Sequence, residues 1–451
     1  MNSVRFSPAL SLFVIIGCAE INPPPTPMAD VQYSMDGVVS EAAVACAADN
    51  DGILLPRGFC GFLVADSIPG ARHLAIAPNG DIFVARMNRR GSNPEPGGIT
   101  VLRDTNGDFR PDTVVSWGVT GGNDVLLVPG YVYHAPNDAV LRYPIEPGSL
   151  VPSGPPDTIV ADLPDSLNHS AKSIALGNDG SLYVAIGAHG NACMVESRTR
   201  ESPGMNPCPL LETRGGIWRF DAGRLRQRQS DGVRFATGLR NVMALGVHAR
   251  TGHLYAAMHG RDQLHDLWPE LYTKEESADN PAEEFMRIVE GADFGWPYCY
   301  HDTRTGRKVL GPEYGGNGEE IGRCAEKAAA LIAFPAHWAP NDLEFYTGTQ
   351  FPSYFHGGVF IAFHGSWNRA PLPQDGYRVV FVPARNDEPG TKWVVFADGF
   401  RREGLLTRHD NSRPVGVAMG PDGSLYIADS LKGRIWRVVY RGPAAPPVSM
   451  R

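Results

Sequence analysis

The sequence predicts an all-β fold, and three observations support that prediction. Glycine and proline are abundant, with 51 and 38 copies in 451 residues. The apolar runs between them are short and rich in Val, Ile, Tyr and Phe, which favours strands joined by turns over helices. One pattern recurs six times: a glycine, any residue, an aliphatic residue, an aromatic residue, any residue and an alanine. Six repeats of one strand unit predict a six-bladed β-propeller.

Each copy of the pattern follows another apolar run, so that the two runs together form a hairpin. In the third hairpin an Asp-Gly pair separates the runs, and its glycine accepts the positive φ that a tight turn needs. Further strand-like runs follow most copies, as four-stranded blades require. The copies begin at Gly80, Gly130, Gly180, Gly252, Gly357 and Gly423. A β-sandwich with coincidental turns is the alternative.

We expect the propeller to span residues 61–440, with a short proline-containing tail at residues 441–451. The spacing between copies widens after the third, which places insertions in the later blades. The longest insertions cover about residues 261–302 and 303–334. The only helices that we expect lie around residues 264–272 and 281–290.

The first residues resemble an export signal. Arg5 precedes an apolar run that is too short to span a membrane as a mature helix. Gly17 before Cys18 resembles the lipobox of bacterial lipoproteins, in which the cysteine is acylated; an ordinary signal peptide is the alternative. We therefore expect a signal at residues 1–18 and a tether and N-terminal segment at residues 19–60. The expected location is the periplasm or outer membrane, with a lipid anchor as the only membrane contact.

Six cysteines remain after Cys18, and an even number in an exported chain indicates three disulfides. Sequence alone allows many pairings. We prefer nearest neighbours, because each pair would close a short loop: Cys46 with Cys60, Cys193 with Cys208, and Cys299 with Cys324. The net charge of -8 argues against a nucleic acid as partner.

In a propeller, the start of each inner strand and the end of each second strand lie at one mouth of the central channel. The residues that we place there as a candidate site are Arg72, His169, Arg240, Asn241, His364, Trp367 and Arg413. Arginine presents a planar fork suited to carboxylates and phosphates, so the predicted ligand is a compact polyanion, with Trp367 over a flat ring. The alternative is that the arginines only close the fold by pairing with Asp124, Asp342 and Asp429.

Four motifs are spread over most blades: GLRN at residues 238–241, FGWPYC at 294–299, FHGSWNR at 363–369 and RPVGVAMGPDGSLYIAD at 413–429. They resemble the sugar dehydrogenases that use pyrroloquinoline quinone (PQQ), the glucose/sorbosone dehydrogenase family, over residues 61–440. The chain is nearer to the sorbosone and pyranose dehydrogenase types, because it has HGSWNR where glucose-oxidising members carry a lysine.

The resemblance implies oxidation of an aldose or related sugar by hydride transfer to PQQ, with calcium bound to PQQ and an external electron acceptor. His169 matches the family's general base, a role that suits a neutral imidazole. Arg240 and Asn241 would contact the quinone edge, where Arg240 would stabilise developing negative charge. Arg72 and Arg413 would hold carboxylates of PQQ.

The same resemblance implies that the calcium ion is held by the main-chain carbonyls of Gly260 and Arg261. Glucose-oxidising members have a Gly-Pro pair and acidic residues there, so this chain departs from their pattern. They also place an aspartate that orients the base at the position of Ala188. His189 and Asn191 are the candidates for that role in this chain.

A second calcium site is predicted in the segment RDTNGDFRPD. Its oxygen-bearing side chains alternate as in calcium loops, and they are Asp104, Asn106, Asp108 and Asp112. Phe109 stands where an EF-hand needs glycine, so a plain Asp-rich turn is the alternative.

Two other functions compete with the dehydrogenase. A non-catalytic propeller that binds a protein or glycan partner is supported by Ala188 and the altered calcium loop. A lactonase-like hydrolase would need several carboxylates around the axis, where arginines dominate. Ser366 lacks the GxSxG setting of serine hydrolases.

Overall fold

The structure is a computed structural model that describes residues 26–27, 37, 44–89, 94–118, 120–165, 168–401 and 411–442. The predicted signal with Cys18, much of the tether and residues 443–451 of the tail lie outside the described residues. The described chain forms six antiparallel sheets whose inner strands contact one another around an axis. This arrangement confirms the predicted six-bladed propeller. No helix in the described ranges is long and apolar enough to cross a bilayer.

Blades 1 to 3 follow one another along the chain, each built of four strands from the axis outward. The strands of blade 1 are Ala71–Ile76, Ile82–Arg86, Gly98–Arg103 and Thr113–Trp117. Those of blade 2 are Gly122–Val128, Tyr131–Pro136, Val140–Pro144 and Asp157–Val160. Those of blade 3 are Ile174–Leu176, Ser181–Ile186, Gly216–Asp221 and Val233–Thr237, with Ala292–Asp293 added in parallel.

Blades 4 to 6 have the same plan. The strands of blade 4 are Val242–Val247, Leu254–Met258, Glu283–Ile288 and Ile332–Phe334. Those of blade 5 are Pro340–Phe345, Val359–His364, Tyr377–Val382 and Val394–Ala397, with Thr26–Pro27 added in parallel. Those of blade 6 are Pro414–Met419, Leu425–Asp429, Ile435–Tyr440 and Phe59–Ala65.

The outer strand of blade 6 comes from the other end of the propeller sequence. Phe59–Ala65 pairs antiparallel with Ile435–Tyr440, and Phe59 lies opposite Tyr440. The first and last strands of the propeller therefore share one sheet. Because this pairing joins the two ends, the backbone hydrogen bonds of blade 6 close the ring.

Apolar side chains fill the space between each blade and the next. Six clusters of buried side chains each combine residues of two neighbouring blades. Phe83 of blade 1 packs with Val132 of blade 2, and Tyr255 of blade 4 with Ile361 of blade 5. Because each blade is covered on both faces, the second strands are mostly apolar and do not alternate with polar residues, as the fully buried Leu425–Asp429 shows.

Blade 4 contains the one error in the predicted secondary structure that affects a blade. Residues 281–290 are not a helix, because Glu283–Ile288 is the third strand and pairs with the strands on both sides. Both glutamates at its start are buried, and Glu284 forms an ion pair of 2.8 Å with Lys308. The predicted insertions therefore include the third and fourth strands of this blade.

Short elements complete the described structure. The expected helix at residues 264–272 is present in part, as the α-helix Leu264–Leu267, and a second α-helix follows at Lys274–Ala278. Two small hairpins are Cys299–Asp302 with Arg307–Leu310 and Ala384–Arg385 with Glu388–Pro389. The 3-10 turns are Asn50–Gly52, Pro209–Glu212, Gln229–Asp231, Pro312–Tyr314, Gly322–Glu326 and Ser353–Phe355.

All three preferred disulfides are confirmed. The Cα–Cα distances are 5.7 Å for Cys46–Cys60, 6.2 Å for Cys193–Cys208 and 5.8 Å for Cys299–Cys324. The first fixes the closing strand of blade 6, and the other two fix segments inserted near the channel mouth.

Buried aspartates link the inner strands of neighbouring blades. Asp124 Oδ2 accepts the backbone N–H of Ile174 at 2.8 Å, and Asp342 Oδ2 accepts that of Val417 at 2.9 Å. His73 Nδ1 lies between the two aspartates, 3.1 Å from Asp124 Oδ1 and 3.8 Å from Asp342 Oδ1. These aspartates hold the ring of blades together through backbone groups and a histidine.

Candidate active site

His169 lies at the channel mouth, just before the inner strand of blade 3. Its Nδ1 is 2.7 Å from the carbonyl oxygen of Ala188. Because a carbonyl only accepts hydrogen bonds, Nδ1 carries the proton and Nε2 keeps its lone pair. Burial, followed by the charge of Arg240, lowers the pKa of His169 to about 3. The imidazole is therefore neutral at ordinary pH, with Nε2 available as a base.

The backbone of His169 adopts an unfavourable conformation in this orientation. His169 has a φ of 55°, in the left-handed region that non-glycine residues rarely adopt. The orienting group is the main-chain carbonyl of Ala188, whereas the sequence had suggested the side chains of His189 or Asn191. His189 is exposed, and Asn191 bonds to other groups described below.

Asn241 reaches the same place from blade 4. A Cβ added to Gly187 would lie 2.7 Å from His169 Cβ and 3.0 Å from Asn241 Oδ1, so the three residues adjoin. Asn241 Nδ2 lies 3.4 Å from His259 Nδ1. Asn241 Oδ1 is buried and has no hydrogen-bond partner within the described ranges. A buried amide oxygen of this kind calls for a donor that a ligand can supply.

Arg240 is only 3% exposed, and its guanidinium is held by three residues. Nη1 donates to the carbonyl of Gly260 at 2.6 Å, and Nη2 donates to Asp262 Oδ2 at 2.8 Å. Nε and Nη2 also donate to Asn191, at 3.3 Å to its carbonyl and 3.2 Å to Oδ1. The structure thus brings Arg240, Asn241 and His169 together, and it fixes the plane of the guanidinium.

Asp262 joins three parts of the site. Besides Arg240, its carboxylate accepts a hydrogen bond of 2.9 Å from Asn368 Nδ2, and its backbone exchanges two bonds of 2.8 Å with Asn191. Burial alone would raise the pKa of Asp262, but Arg240 and other nearby cations outweigh it and lower the pKa to about 2. Asp262 is not among the site residues that the sequence predicts. The feature that could have identified Asp262 is its position, because it is an acidic residue at the end of a segment, after the second strand of blade 4, whose other charged or titratable residues are basic.

Arg72 approaches the mouth from blade 1. Its Nε donates to Asn123 Oδ1 at 2.8 Å, while its two terminal nitrogens have no hydrogen-bond partner among the residues that the structure describes. Burial lowers the pKa of Arg72 to about 10, and the aspartates below it oppose that shift. Arg72 therefore stays charged and keeps part of its fork for a ligand.

Arg413 sits beside blade 5 at the same mouth. Its Nε donates to the carbonyl of His364 at 2.8 Å, and its Nη2 donates to the carbonyl of Gly365. Its backbone N–H donates to Asp429 Oδ1 at 2.6 Å. His364 Nε2 lies 2.6 Å from Ser430 Oγ. Arg413 and His364 are thus neighbours, and Asp429 binds the main chain of Arg413, whereas the alternative from the sequence was a pairing with the arginine side chain.

Trp367 stands at the rim of the mouth. It is 67% exposed, which is unusual for tryptophan. The chain is anchored directly after the indole, by Asn368 on Asp262 and by Arg369, whose Nη1 donates to the carbonyl of Ala336 at 2.8 Å. A fixed segment that presents an exposed indole is suited to covering a flat ligand.

A ring of hydrogen bonds forms a floor beneath these residues. His259 Nε2 lies 3.1 Å from Asn341 Oδ1, and the carbonyl of Asn341 lies 2.7 Å from His73 Nε2. Asn123 continues the ring, with Nδ2 3.4 Å from His73 Nε2 and 3.1 Å from Ser173 Oγ. Below this floor the channel opens into a cavity of about 360 Å³ lined by inner strands. His169 does not line that cavity, which belongs to the opposite end of the channel.

The predicted calcium site at Gly260 and Arg261 already has a positive charge beside it. The carbonyl of Gly260 already accepts a bond from Arg240. The Arg261 side chain is buried and pairs with Glu313, with Nη2 2.7 Å from Oε1. Within the described ranges, no group of three or more His, Cys, Asp or Glu side chains is arranged to hold a metal.

The segment proposed for a second calcium lies at the opposite end of blade 1, beside the turn at Asn79 and Gly80. Its oxygens close local turns. Asp104 accepts backbone N–H groups from Asn106, Gly107 and Phe109 at 3.1, 2.7 and 2.7 Å. The other three side chains bind neighbouring groups of the same segment, and they are Asn106, Asp108 and Asp112. These bonds are those of an Asp-rich turn.

Comparison with known proteins gives two kinds of relatives. A pyrroloquinoline quinone-dependent pyranose dehydrogenase from Coprinopsis cinerea is 26% identical over 274 residues, which is 52% of this chain and 36% of the relative. An uncharacterized protein from Borreliella burgdorferi is 28% identical over 211 residues, which is 46% of this chain and 48% of the relative. The chain therefore spans less than half the length of these curated relatives.

Solved structures share the fold. The holo PQQ domain of pyranose dehydrogenase from Coprinopsis cinerea has a TM-score of 0.68 at 18% identity, covering 86% of this chain and 97% of that one. The calcium structure of the family AA12 enzyme from Trichoderma reesei has a TM-score of 0.69 at 17% identity, covering 86% and 97%. The PQQ-bound aldose sugar dehydrogenase from Streptomyces coelicolor has a TM-score of 0.52 at 17% identity, covering 86% and 99%.

The resemblance to PQQ-dependent sugar dehydrogenases of the pyranose type is thereby confirmed. The TrAA12-like family profile matches residues 55–441, which include every blade of the propeller. The chain therefore belongs to the TrAA12-like family.

Proposed function

We propose that this protein is a PQQ-dependent dehydrogenase that oxidises an aldose or a related sugar. The observation that carries the proposal is the neutral, oriented imidazole of His169 beside the buried Arg240 and Asn241. The names of the relatives from Coprinopsis cinerea and Streptomyces coelicolor support the cofactor and the substrate class.

The residues at the mouth fit PQQ, a flat tricyclic quinone with three carboxylates. The unpaired part of the Arg72 fork suits a carboxylate, and Arg413 adds a second positive charge nearby. Asn241 Oδ1 has no hydrogen-bond partner in the part of the chain that the structure describes, and it can accept a hydrogen bond from the cofactor or a sugar hydroxyl. Trp367 offers an exposed ring at the rim. His364, beside Arg413, is held by a hydrogen bond with Ser430.

When bound, PQQ supplies the quinone that accepts a hydride from the sugar. His169 Nε2 takes the proton of the anomeric hydroxyl, and Ala188 keeps the imidazole in the tautomer that leaves Nε2 free. Arg240 places a fixed positive charge beside the base, where negative charge develops as the proton leaves and the hydride is transferred. Reoxidation of the cofactor would require an external electron acceptor. No step is assigned to calcium, because Arg240 occupies the Gly260 carbonyl.

Reconstitution tests this proposal. The purified chain is loaded with PQQ and mixed with a panel of aldoses and an electron-accepting dye. We expect dye reduction with at least one sugar, and we expect His169→Asn to keep PQQ binding while losing about 10²- to 10⁴-fold in kcat/KM. His189→Asn is the matched control, because that exposed histidine should have no effect. Absence of PQQ binding, or full activity in His169→Asn, contradicts the proposal.

We also propose that the protein is exported and lipid-anchored in the periplasm or outer membrane. Three disulfides support an oxidising compartment. Cys18→Ser should move the protein from the membrane fraction to the soluble fraction, whereas retention of the variant in membranes contradicts a lipid anchor at this cysteine.

A further inference from the structure

The Gly260 carbonyl is where the family resemblance places calcium, and the structure places a different cation there. Arg240 Nη1 lies 2.6 Å from this oxygen. A calcium ion would bind the same oxygen at about 2.4 Å. The carbonyl oxygen has a second lone pair, but an ion bound there would lie within a few ångströms of the guanidinium, and their like charges would repel each other in this buried setting.

Arg240 is held in this place by more than one bond. Asp262 and Asn191 bind the rest of its guanidinium, and Trp296 Nε1 donates to the Asn191 carbonyl at 2.9 Å. If Arg240 swung away, it would leave the Asp262 carboxylate, whose side chain is 17% exposed, without its main counter-charge. Loss of such a partner is costly in a buried pair. The guanidinium cannot lose its charge by deprotonation, because arginine stays protonated in proteins.

Among the residues that the structure describes, the charged side chains beside Gly260 are already paired with other groups. Arg261 turns its side chain into a buried ion pair with Glu313, in which the two side chains are 4% and 0% exposed. The carboxylate oxygens of Glu283 accept hydrogen bonds from the N–H groups of Gly260 and Ala339, at 2.7 and 3.1 Å. Asp262 is the acid closest to the Gly260 carbonyl along the chain, and Arg240 neutralises it.

We propose that the guanidinium of Arg240 takes the place of the calcium ion, so that this protein binds PQQ without a divalent cation. The inference rests on the proposed function, because it concerns the same cofactor. Arginine is suited to the substitution: it is a permanent cation whose N–H groups bind carboxylate and quinone oxygens in a defined geometry. Arg240 and Asp262 together have a net charge near zero, whereas a divalent ion beside Asp262 would leave a net positive charge.

The deciding experiment measures PQQ affinity and does not depend on turnover. Protein freed of metal ions is titrated with PQQ in EGTA and, separately, in millimolar calcium, and binding is followed by quenching of tryptophan fluorescence or by equilibrium dialysis. We expect the two dissociation constants to agree within about twofold. A gain in affinity of about tenfold or more on adding calcium would overturn the inference. Failure to bind PQQ under either condition would instead refute the proposed function as well.

Two variants separate the roles of the arginines. Arg240→Gln removes the charge from the Gly260 carbonyl, so its PQQ affinity should fall in EGTA and recover at least partly in calcium. Arg72→Gln is the matched control: it removes another arginine of the mouth that makes no bond to Gly260, so its loss of affinity should be the same in both buffers. Wild-type affinity of Arg240→Gln in EGTA would overturn the inference. If Arg240→Gln does not fold, the wild-type titration still decides.

Discussion

The buried setting of His169 predicts an unusual pH dependence. An imidazole with the ordinary pKa of about 6.5 would be about 97% protonated at pH 5, and a reaction that needs the neutral base would slow about thirtyfold. With the pKa of His169 lowered to about 3, only about 1% is protonated at that pH. We therefore expect kcat/KM to lose less than about a tenth between pH 8 and pH 5 on account of this residue.

The direction follows from the groups around the imidazole. Burial disfavours the charged form most, Arg240 and His259 add positive potential, and the Ala188 carbonyl and Asp262 oppose them. The assay is kcat/KM for a sugar substrate of the PQQ-loaded enzyme, because this parameter reports the ionisation of the free enzyme. A dye whose own reduction does not change with pH is required.

Another group titrates in the same range and must be separated. Burial raises the pKa of Asp342 to about 7, so its ionisation can add a step near neutral pH. Asp342→Asn removes that step and leaves His169 in place. An acid limb with a midpoint near 6.5 that persists in Asp342→Asn would refute the reasoning, because it would show that the base keeps its ordinary pKa.

Three further predictions concern the site and the fold. Gly187→Ala adds a Cβ only 2.7 Å from the Cβ of His169 and should abolish activity without changing the far-ultraviolet CD spectrum. Gly154→Ala is the control, because its added Cβ meets only one atom, at 3.6 Å, and its activity should equal that of wild type. Equal activities of the two variants would contradict the argument from crowding. Replacing Cys193 and Cys208 by serine opens a loop of 15 residues and should cost about 3 kcal/mol of unfolding free energy in denaturant titrations, and an unchanged midpoint would argue against it. Burial raises the pKa of Glu344 to about 8, so the folded state keeps a proton that the unfolded chain releases above its usual pKa. The Tm of Glu344→Gln should match that of wild type near pH 5 and exceed it increasingly between pH 5 and pH 8. An equal increase in Tm at both pH values would show that the ionisation of Glu344 is not the cause.

Most of the fold was predictable because the propeller repeats one local signal. Glycine turns and apolar runs mark the hairpin of every blade, and they do so independently of distant sequence. The third strand of blade 4 was missed because its start carries two glutamates, and Glu284 is neutralised by Lys308 from the following hairpin. The closing strand Phe59–Ala65 pairs with the last strand of the propeller, and no local pattern reports a pairing over that separation.

The composition of the site was predictable, but its bonding was not. The topology places strand ends at one mouth, so Arg72, Arg240 and His169 could be assembled from the sequence. The group that orients His169 is a main-chain carbonyl, which leaves no trace in residue identities. The sequence also presents Arg240 as a free cation, whereas folding commits it to Gly260 and Asp262. Those partners follow the second strand of blade 4 and come to lie beside Arg240 only when its hairpin has formed.

The two departures from the glucose-oxidising pattern are coupled through the electrostatics of the base. An aspartate at the position of Ala188 would raise the pKa of His169, and a calcium ion beside Gly260 would lower it. In this chain a neutral carbonyl replaces the carboxylate, and a monovalent guanidinium already neutralised by Asp262 stands where the divalent ion would be. Adding the ion without the aspartate would depress the pKa of His169 further, away from the range in which a base is effective. The alanine at position 188 therefore fits the proposed binding of PQQ without calcium, because an aspartate there and a calcium ion would have opposite effects on the pKa of His169.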